Sequence, residues 1–208
     1  MTVKGKSLRE HFQAFNHQKA ILFLTDIVQT KAVLDTQLVL AIHALVLRSI
    51  EDDYGGRLRN ASVRISGANF IPPNARKVAG LLEELCTFSQ NNNQALDLLA
   101  LTTVFHHRFV WIYPFFDGNG RTARLVSNLL LMQQGYPPAI LLKNDRKKYY
   151  QALNKANQGN YLPLALIFAQ AMERSLQLYL NAIPDNDEDD FMPISQLVEE
   201  AHLPYGAD

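Results

Sequence analysis

Leu96, Leu98, Leu99, Leu101, Val104, Phe105, Phe109 and Val110 follow one another in a segment ending at Trp111, and on a helix they surround the cylinder instead of striping it. Such a helix is expected to be deeply buried and central to the core. The remaining chain must therefore supply several amphipathic helices to pack around it. Val78, Leu81, Leu82, Leu85 and Phe88 recur at steps of three and four, which predicts one such helix from about Pro73 to Phe88. Another begins near Gly120, turns Leu125, Val126, Leu129, Leu130 and Met132 inward, and stops at Gly135 with Pro137 and Pro138 beyond it. Ser7 followed by Glu10 is a reciprocal capping pair that opens a helix running through the Thr30 region. Further helices fit from about Asp35 to Arg48, Arg146 to Asn157 and Leu162 to Leu180, with Pro163 tolerated in a first turn. Only Val63 to Ile71 reads as strand. Val63 and Ile65 alternate with polar residues, Ser66, Gly67, Ala68 and Asn69 supply turn chemistry, and Pro72 and Pro73 end any ladder. The expectation is an all-α bundle with one small β-hairpin.

With 208 residues and 48% hydrophobic content the chain can bury one core, so residues 1–182 read as a single domain. Asp185, Asp187, Glu188, Asp189 and Asp190 repel one another, which marks residues 183–190 as an acidic linker. Residues 191–208 are too short to fold alone. Twenty Lys and Arg balance twenty Asp and Glu, so there is no basic field of the kind that non-specific nucleic-acid binding requires. Cys86 is the lone cysteine, no apolar run is long enough for a membrane span, and the first residues lack a signal-peptide core. A cytoplasmic chain without a membrane or DNA partner is the expectation.

Function is concentrated between Pro114 and Arg124. Asp117-Gly118-Asn119-Gly120 joins the enclosed helix to the next one, so the free amides at the start of that second helix face whatever enters the loop, and such amides bind anions. The glycines remove Cβ atoms that would hold a phosphate away, and Asn119 can add a side-chain donor. Arg121 and Arg124, three apart, can direct both guanidinium groups at one polyphosphate. Asp117 is the odd negative group, and holding a Mg²⁺ that bridges phosphate oxygens is a role for it. The competing structural reading makes Asp117 a helix cap, the glycines a bend and the arginines surface ion pairs.

The run Tyr113-Pro-Phe-Phe-Asp-Gly-Asn-Gly-Arg-Thr-Ala-Arg124 resembles the Fic-domain signature His-Pro-Phe-x-Asp/Glu-Gly-Asn-Gly-Arg-x-x-Arg at eight of nine specified positions. The likeness extends from Val3 through Gly56, Arg57 and Arg59 and through Ile71-Pro-Pro to Leu180, and is similar to the animal endoplasmic-reticulum branch of that family. It implies a Fic-fold helical bundle that transfers AMP from ATP, with Mg²⁺, to a Ser, Thr or Tyr hydroxyl of a target protein. By the same resemblance Phe115 anchors the loop and Asp117 holds Mg²⁺. Gly118, Asn119 and Gly120 form the anion hole, Arg121 contacts the β-phosphate and Arg124 the γ-phosphate. Tyr149, Tyr150 and Asn157 match positions of the nucleoside pocket, and Ile65, Ser66, Gly67, Ala68, Asn69 and Phe70 match the flap that holds the target by strand addition. For the tyrosines, packing on a helix surface is the plainer alternative. Gly120 and the second arginine favour AMP transfer over the phosphate transfer of relatives that carry Lys there. A homodimer is compatible with the resemblance.

One position departs. Where the family places its general-base histidine this chain has Tyr113, and a phenol with a pKa of about 10 is ionised in roughly one molecule per thousand at neutral pH. General-base catalysis contributes about 10²–10⁴ in rate, so the resemblance implies a nucleotide binder whose transfer is strongly impaired. A non-catalytic nucleotide-binding or protein-interaction module is the alternative. Adjacent His106 and His107 point about 100° apart on a helix, which favours packing over a metal site. No Ser/Thr-x-x-x-Glu-Gly/Asn inhibitory pattern precedes Val3, and Ser195 to Glu200 matches it only in part. Phe191 to Asp208 also resembles the opening of a winged-helix module.

Overall fold

Local capping chemistry sets most helix starts. The computed structural model describes residues 7–65, 70–92, 95–142 and 145–182. Among these residues the helices are α1 (Leu8–Thr30), α2 (Thr36–Leu47), α3 (Ala75–Asn91), α4 (Leu98–Ile112), α5 (Asn119–Met132), α6 (Arg146–Ala156) and α7 (Leu162–Ala182), with a 3₁₀ turn at Asp52–Tyr54. Ser7 and Glu10 form the reciprocal capping box of α1, while Asp35, Asn74 and Asp97 accept backbone amides at the starts of α2, α3 and α4. Helices α5, starting at Gly118, and α6, starting at Asp145, have no side-chain cap.

Helix α4 is central, packing against α3, α5 and α7, with Arg108 and Trp111 left on an exposed side, while α5 also meets α1 and α2. Phe105 and Phe109 are fully buried in a core with Leu24, Ile42, Leu82, Phe115, Leu125 and Leu129. Each such side chain contributes about 1.5–3 kcal/mol relative to exposure, which fixes α4 as the axis on which the motif loop is mounted. A smaller cluster of Leu131, Leu153, Leu164 and Phe168 joins α6 and α7 to the end of α5, with Leu98, Leu99 and Val110 of α4 packed against it.

The expected hairpin is not seen. No strand occurs among the described residues: Val63 to Ile65 and Phe70 to Ile71 are irregular, and Ser66, Gly67, Ala68 and Asn69 lie outside the described residues. The feet of this segment are held by a side chain, since Arg59 donates to the carbonyls of Ala61 and Pro73. Alternation over so short a run left strand pairing unsupported by any neighbouring sheet. The acidic segment and residues 191–208 also lie outside the described residues. No helix among the described residues is long and apolar enough to cross a membrane.

Candidate active site

The loop between α4 and α5 is built by contacts that come from distant parts of the chain. Tyr113 ends α4 in the left-handed region, φ 51° and ψ 62°, an uncommon conformation for a residue with a Cβ. Arg59, only 2% exposed, holds that turn in place. Its Nε donates to the Tyr113 carbonyl at 2.7 Å, its Nη2 to the Ile112 carbonyl at 3.3 Å, and its backbone N–H to the Pro114 carbonyl at 2.9 Å. A buried guanidinium is costly unless its donors are met, and here backbone carbonyls meet them.

His43, on α2, supports the middle of the loop. Gly56 N–H donates to its Nδ1 at 3.0 Å, so that nitrogen is unprotonated and Nε2–H donates to the Asp117 carbonyl at 3.0 Å. The ring stacks on Phe115 at 3.5 Å between centroids and 5° between planes. Burial lowers the His43 pKa to about 4, with the Asp117 hydrogen bond offsetting part of the effect. His43 is therefore a neutral pin under the loop. Gly118, at φ 77°, passes so close that a Cβ would meet His43 Nε2 at 3.1 Å and Val46 Cγ1 at 3.3 Å. The glycine there answers to the chain's own packing. At Gly120 a Cβ would meet nothing within 4 Å, so that position opens outward.

Asn119 is 3% exposed and engaged with the backbone of Phe115: Oδ1 accepts its N–H at 2.9 Å and Nδ2 donates to its carbonyl at 2.8 Å. In this structure the side chain shapes the loop. The backbone amides of Asn119, Gly120 and Arg121 find no acceptor among the described residues. Around them stand three charged groups. Arg121 donates to the Val46 carbonyl at 3.2 Å and to Asp117 Oδ2 at 3.2 Å. Arg124 has no hydrogen bond or ion pair among the described residues, and its charge lowers the pKa of His17 and His106 alongside their burial. The Asp117 carboxylate is partly exposed and also meets Arg9.

The Tyr113 phenol is half-buried, and burial raises its pKa while the Asn119 side chain offsets part of the rise. It is a poorer proton acceptor here than in water. Tyr149 points inward: its hydroxyl lies 2.7 Å from His106 Nε2, and His106 Nδ1 lies 2.9 Å from Ser127 Oγ. Ser127 Oγ donates to the Ala123 carbonyl, so His106 Nδ1–H donates to Ser127 and Tyr149 donates to Nε2. Tyr150 is 49% exposed beneath the Arg146 guanidinium. Asn157 accepts from His107 Nε2 at 2.8 Å and lines a cavity of about 480 Å³ with Trp111, Tyr161 and Glu84. Tyr149, Tyr150 and Asn157 thus face different surroundings. His106 and His107 are packing residues, and no cluster able to hold a metal by itself exists among the described residues.

His43, Arg59 and Arg9 were missed in reading the sequence. They lie 74, 54 and 108 residues from the loop atoms they touch, and no local spacing announces them. The resemblance did pass through Arg59 without giving it a task.

A family model described as the Fic/DOC family matches residues 33–131. The protein adenylyltransferase Fic of Drosophila melanogaster is 34% identical over 186 residues, covering 89% of this chain and 37% of that protein. The Drosophila virilis protein of the same name is equally similar, with 38% of its length covered. Among solved structures, Fic-1 (residues 134–508) from C. elegans superposes with a TM-score of 0.79 at 30% identity, over 88% of this chain and 55% of that one. A Fic domain containing signaling protein from Bacteroides thetaiotaomicron shares the fold, with a TM-score of 0.76 at 22% identity over 86% of this chain and 74% of its own. The chain spans less than two fifths of the length of these Drosophila relatives.

Proposed function

Because this chain belongs to the Fic/DOC family, matched over residues 33–131, we propose that it is a protein adenylyltransferase scaffold that takes ATP as co-substrate and a hydroxyl-bearing protein as target. The observation that carries this reading is the row of amides at Asn119, Gly120 and Arg121 that have no acceptor among the described residues, flanked by Arg121 and by Arg124, which has no ion pair among them. In the reaction a target oxygen bonds to the α-phosphorus, the bond to the α,β-bridging oxygen breaks, and pyrophosphate leaves. The hydroxyl proton must go to an acceptor beside the incoming oxygen. The amides and arginines hold the phosphates and stabilise charge that develops on them. Asp117 fits a Mg²⁺ that takes one carboxylate and substrate phosphates, an ion that would neutralise phosphate charge. Of the positions read as the nucleoside pocket, Asn157 borders a cavity with Trp111 and Tyr161 that the nucleoside would enter on this reading, while Tyr149 and Tyr150 lie outside its lining.

Tyr113 occupies the place of the proton acceptor, and its burial-raised pKa makes it ineffective there. The proposed state is a competent nucleotide site with strongly impaired transfer. Transfer of labelled AMP from ATP, to the chain itself or to offered proteins, should be near background for this chain and clear for Tyr113→His. Background transfer by a Tyr113→His protein that binds ATP would instead favour a non-catalytic nucleotide-binding module, the reading that Tyr113 itself supports.

A further inference from the structure

We propose that Arg9 is a tethered stand-in for the metal cation at Asp117, occupying the carboxylate when no metal is bound and yielding it when metal and nucleotide arrive together. The proposal rests on the nucleotide-site reading above and extends it to a residue in the first turn of α1.

The Asp117 carboxylate is fully engaged by the chain's own groups. Its Oδ1 accepts the Gly118 N–H at 2.6 Å, while Oδ2 accepts Arg9 Nη2 at 2.8 Å and Arg121 Nη2 at 3.2 Å. Of the two guanidinium groups on Oδ2, only one is free to leave. Arg121 is 19% exposed and tied by Nη1 to the Val46 carbonyl. Arg9 is 52% exposed and has a second partner ready, Glu51 Oε1 at 3.0 Å from the same Nη2. When a divalent ion takes Oδ2, Arg9 can move onto Glu51 without becoming unpaired. The approach of Arg9 is set by α1, which Asn16 ties to the end of α2 by donating from Nδ2 to the Arg48 carbonyl at 2.6 Å.

This arrangement gives Arg9 opposite effects in two conditions. Without metal, its charge cancels Asp117, which would otherwise repel the phosphates that the Asn119 to Arg121 amides attract. With metal, the same charge competes for Oδ2 and repels the ion. A merely structural residue would shift nucleotide affinity in one direction in both conditions.

The test is calorimetric titration of the full chain with a non-hydrolysable ATP analogue at low ionic strength, once in excess EDTA and once with Mn²⁺. For Arg9→Ala, affinity should weaken about two- to fivefold in EDTA and tighten about two- to fivefold with Mn²⁺, the range expected of a partly exposed ion pair. Arg9→Lys, which keeps the cation, should stay near the original chain in both. Equal shifts in the same direction for Arg9→Ala, or no shift in either, overturn the proposal. If Asp117→Asn loses the Mn²⁺ enhancement while Arg9→Ala leaves it unaltered, only the role of Arg9 fails. If none of these proteins binds the analogue in either condition, the nucleotide-site reading fails and this proposal with it. Thermal melting shows that Arg9→Ala remains folded.

Discussion

Acidification should loosen the motif loop through His43, and the size of the effect follows from its surroundings. The ring is fully buried, stacked on Phe115, and its Nδ1 accepts the Gly56 N–H. A proton on Nδ1 would abolish that hydrogen bond and place a charge in the core, which is why the folded-state pKa falls to about 4. An unfolded histidine titrates near 6.5, so between these values the unfolded chain binds the proton that the folded chain refuses. The stability from keeping His43 neutral is complete above about pH 6.5 and is lost as the pH falls through about 4. Fully titrated, that difference corresponds to about 3 kcal/mol, of which about 2 kcal/mol disappears between pH 7.5 and pH 5. Other groups move in the same direction. His106 is lowered to about 3, and His17 and His107 are also lowered, all chiefly by burial. The contribution of His43 is therefore isolated by difference. Urea unfolding of the original chain and of His43→Gln, each at pH 7.5 and pH 5, should show a loss on acidification about 2 kcal/mol smaller in the variant. Equal losses in the two proteins, within about 0.5 kcal/mol, would refute the assignment of a neutral, buried pin.

Arg124→Ala should weaken ATP binding by about ten- to a hundredfold in calorimetry, the range for removing a hydrogen bond to a charged group, and unchanged affinity would reject its phosphate role. Asn119→Ala should cost about 2–4 kcal/mol in denaturant unfolding, because it leaves the Phe115 N–H and carbonyl unpaired in a buried place; a loss below 1 kcal/mol would argue against its loop-shaping position. If the proposed reading holds, Tyr113→His should raise AMP transfer by at least about 10²-fold while changing ATP affinity by less than about threefold, since the substitution would restore a proton acceptor without adding a phosphate contact. A large change in affinity with no gain in transfer would contradict that division.

What the sequence determined by itself is whatever depends on neighbours along the chain. Helix starts such as Ser7 with Glu10 are closed by groups three residues apart, and the central place of α4 in the core follows from its own composition. The start of α5 next to the motif was legible for the same reason, since Asp117 to Arg124 is one contiguous run at a helix start. The strand expected at Val63 to Ile71 shows the limit of local reading. Its two feet are secured by Arg59, and a short alternation cannot tell a ladder from a clamp. Tertiary structure alone decided which polar groups would meet the loop. His43 beneath Phe115, Arg59 at the Tyr113 carbonyl and Arg9 on Asp117 come from other helices and loops. It also separated Tyr149, turned in to His106, from Tyr150, left in solvent. Adjacent residues on a helix point about 100° apart, so which of them faces the core depends on where the other helices pack.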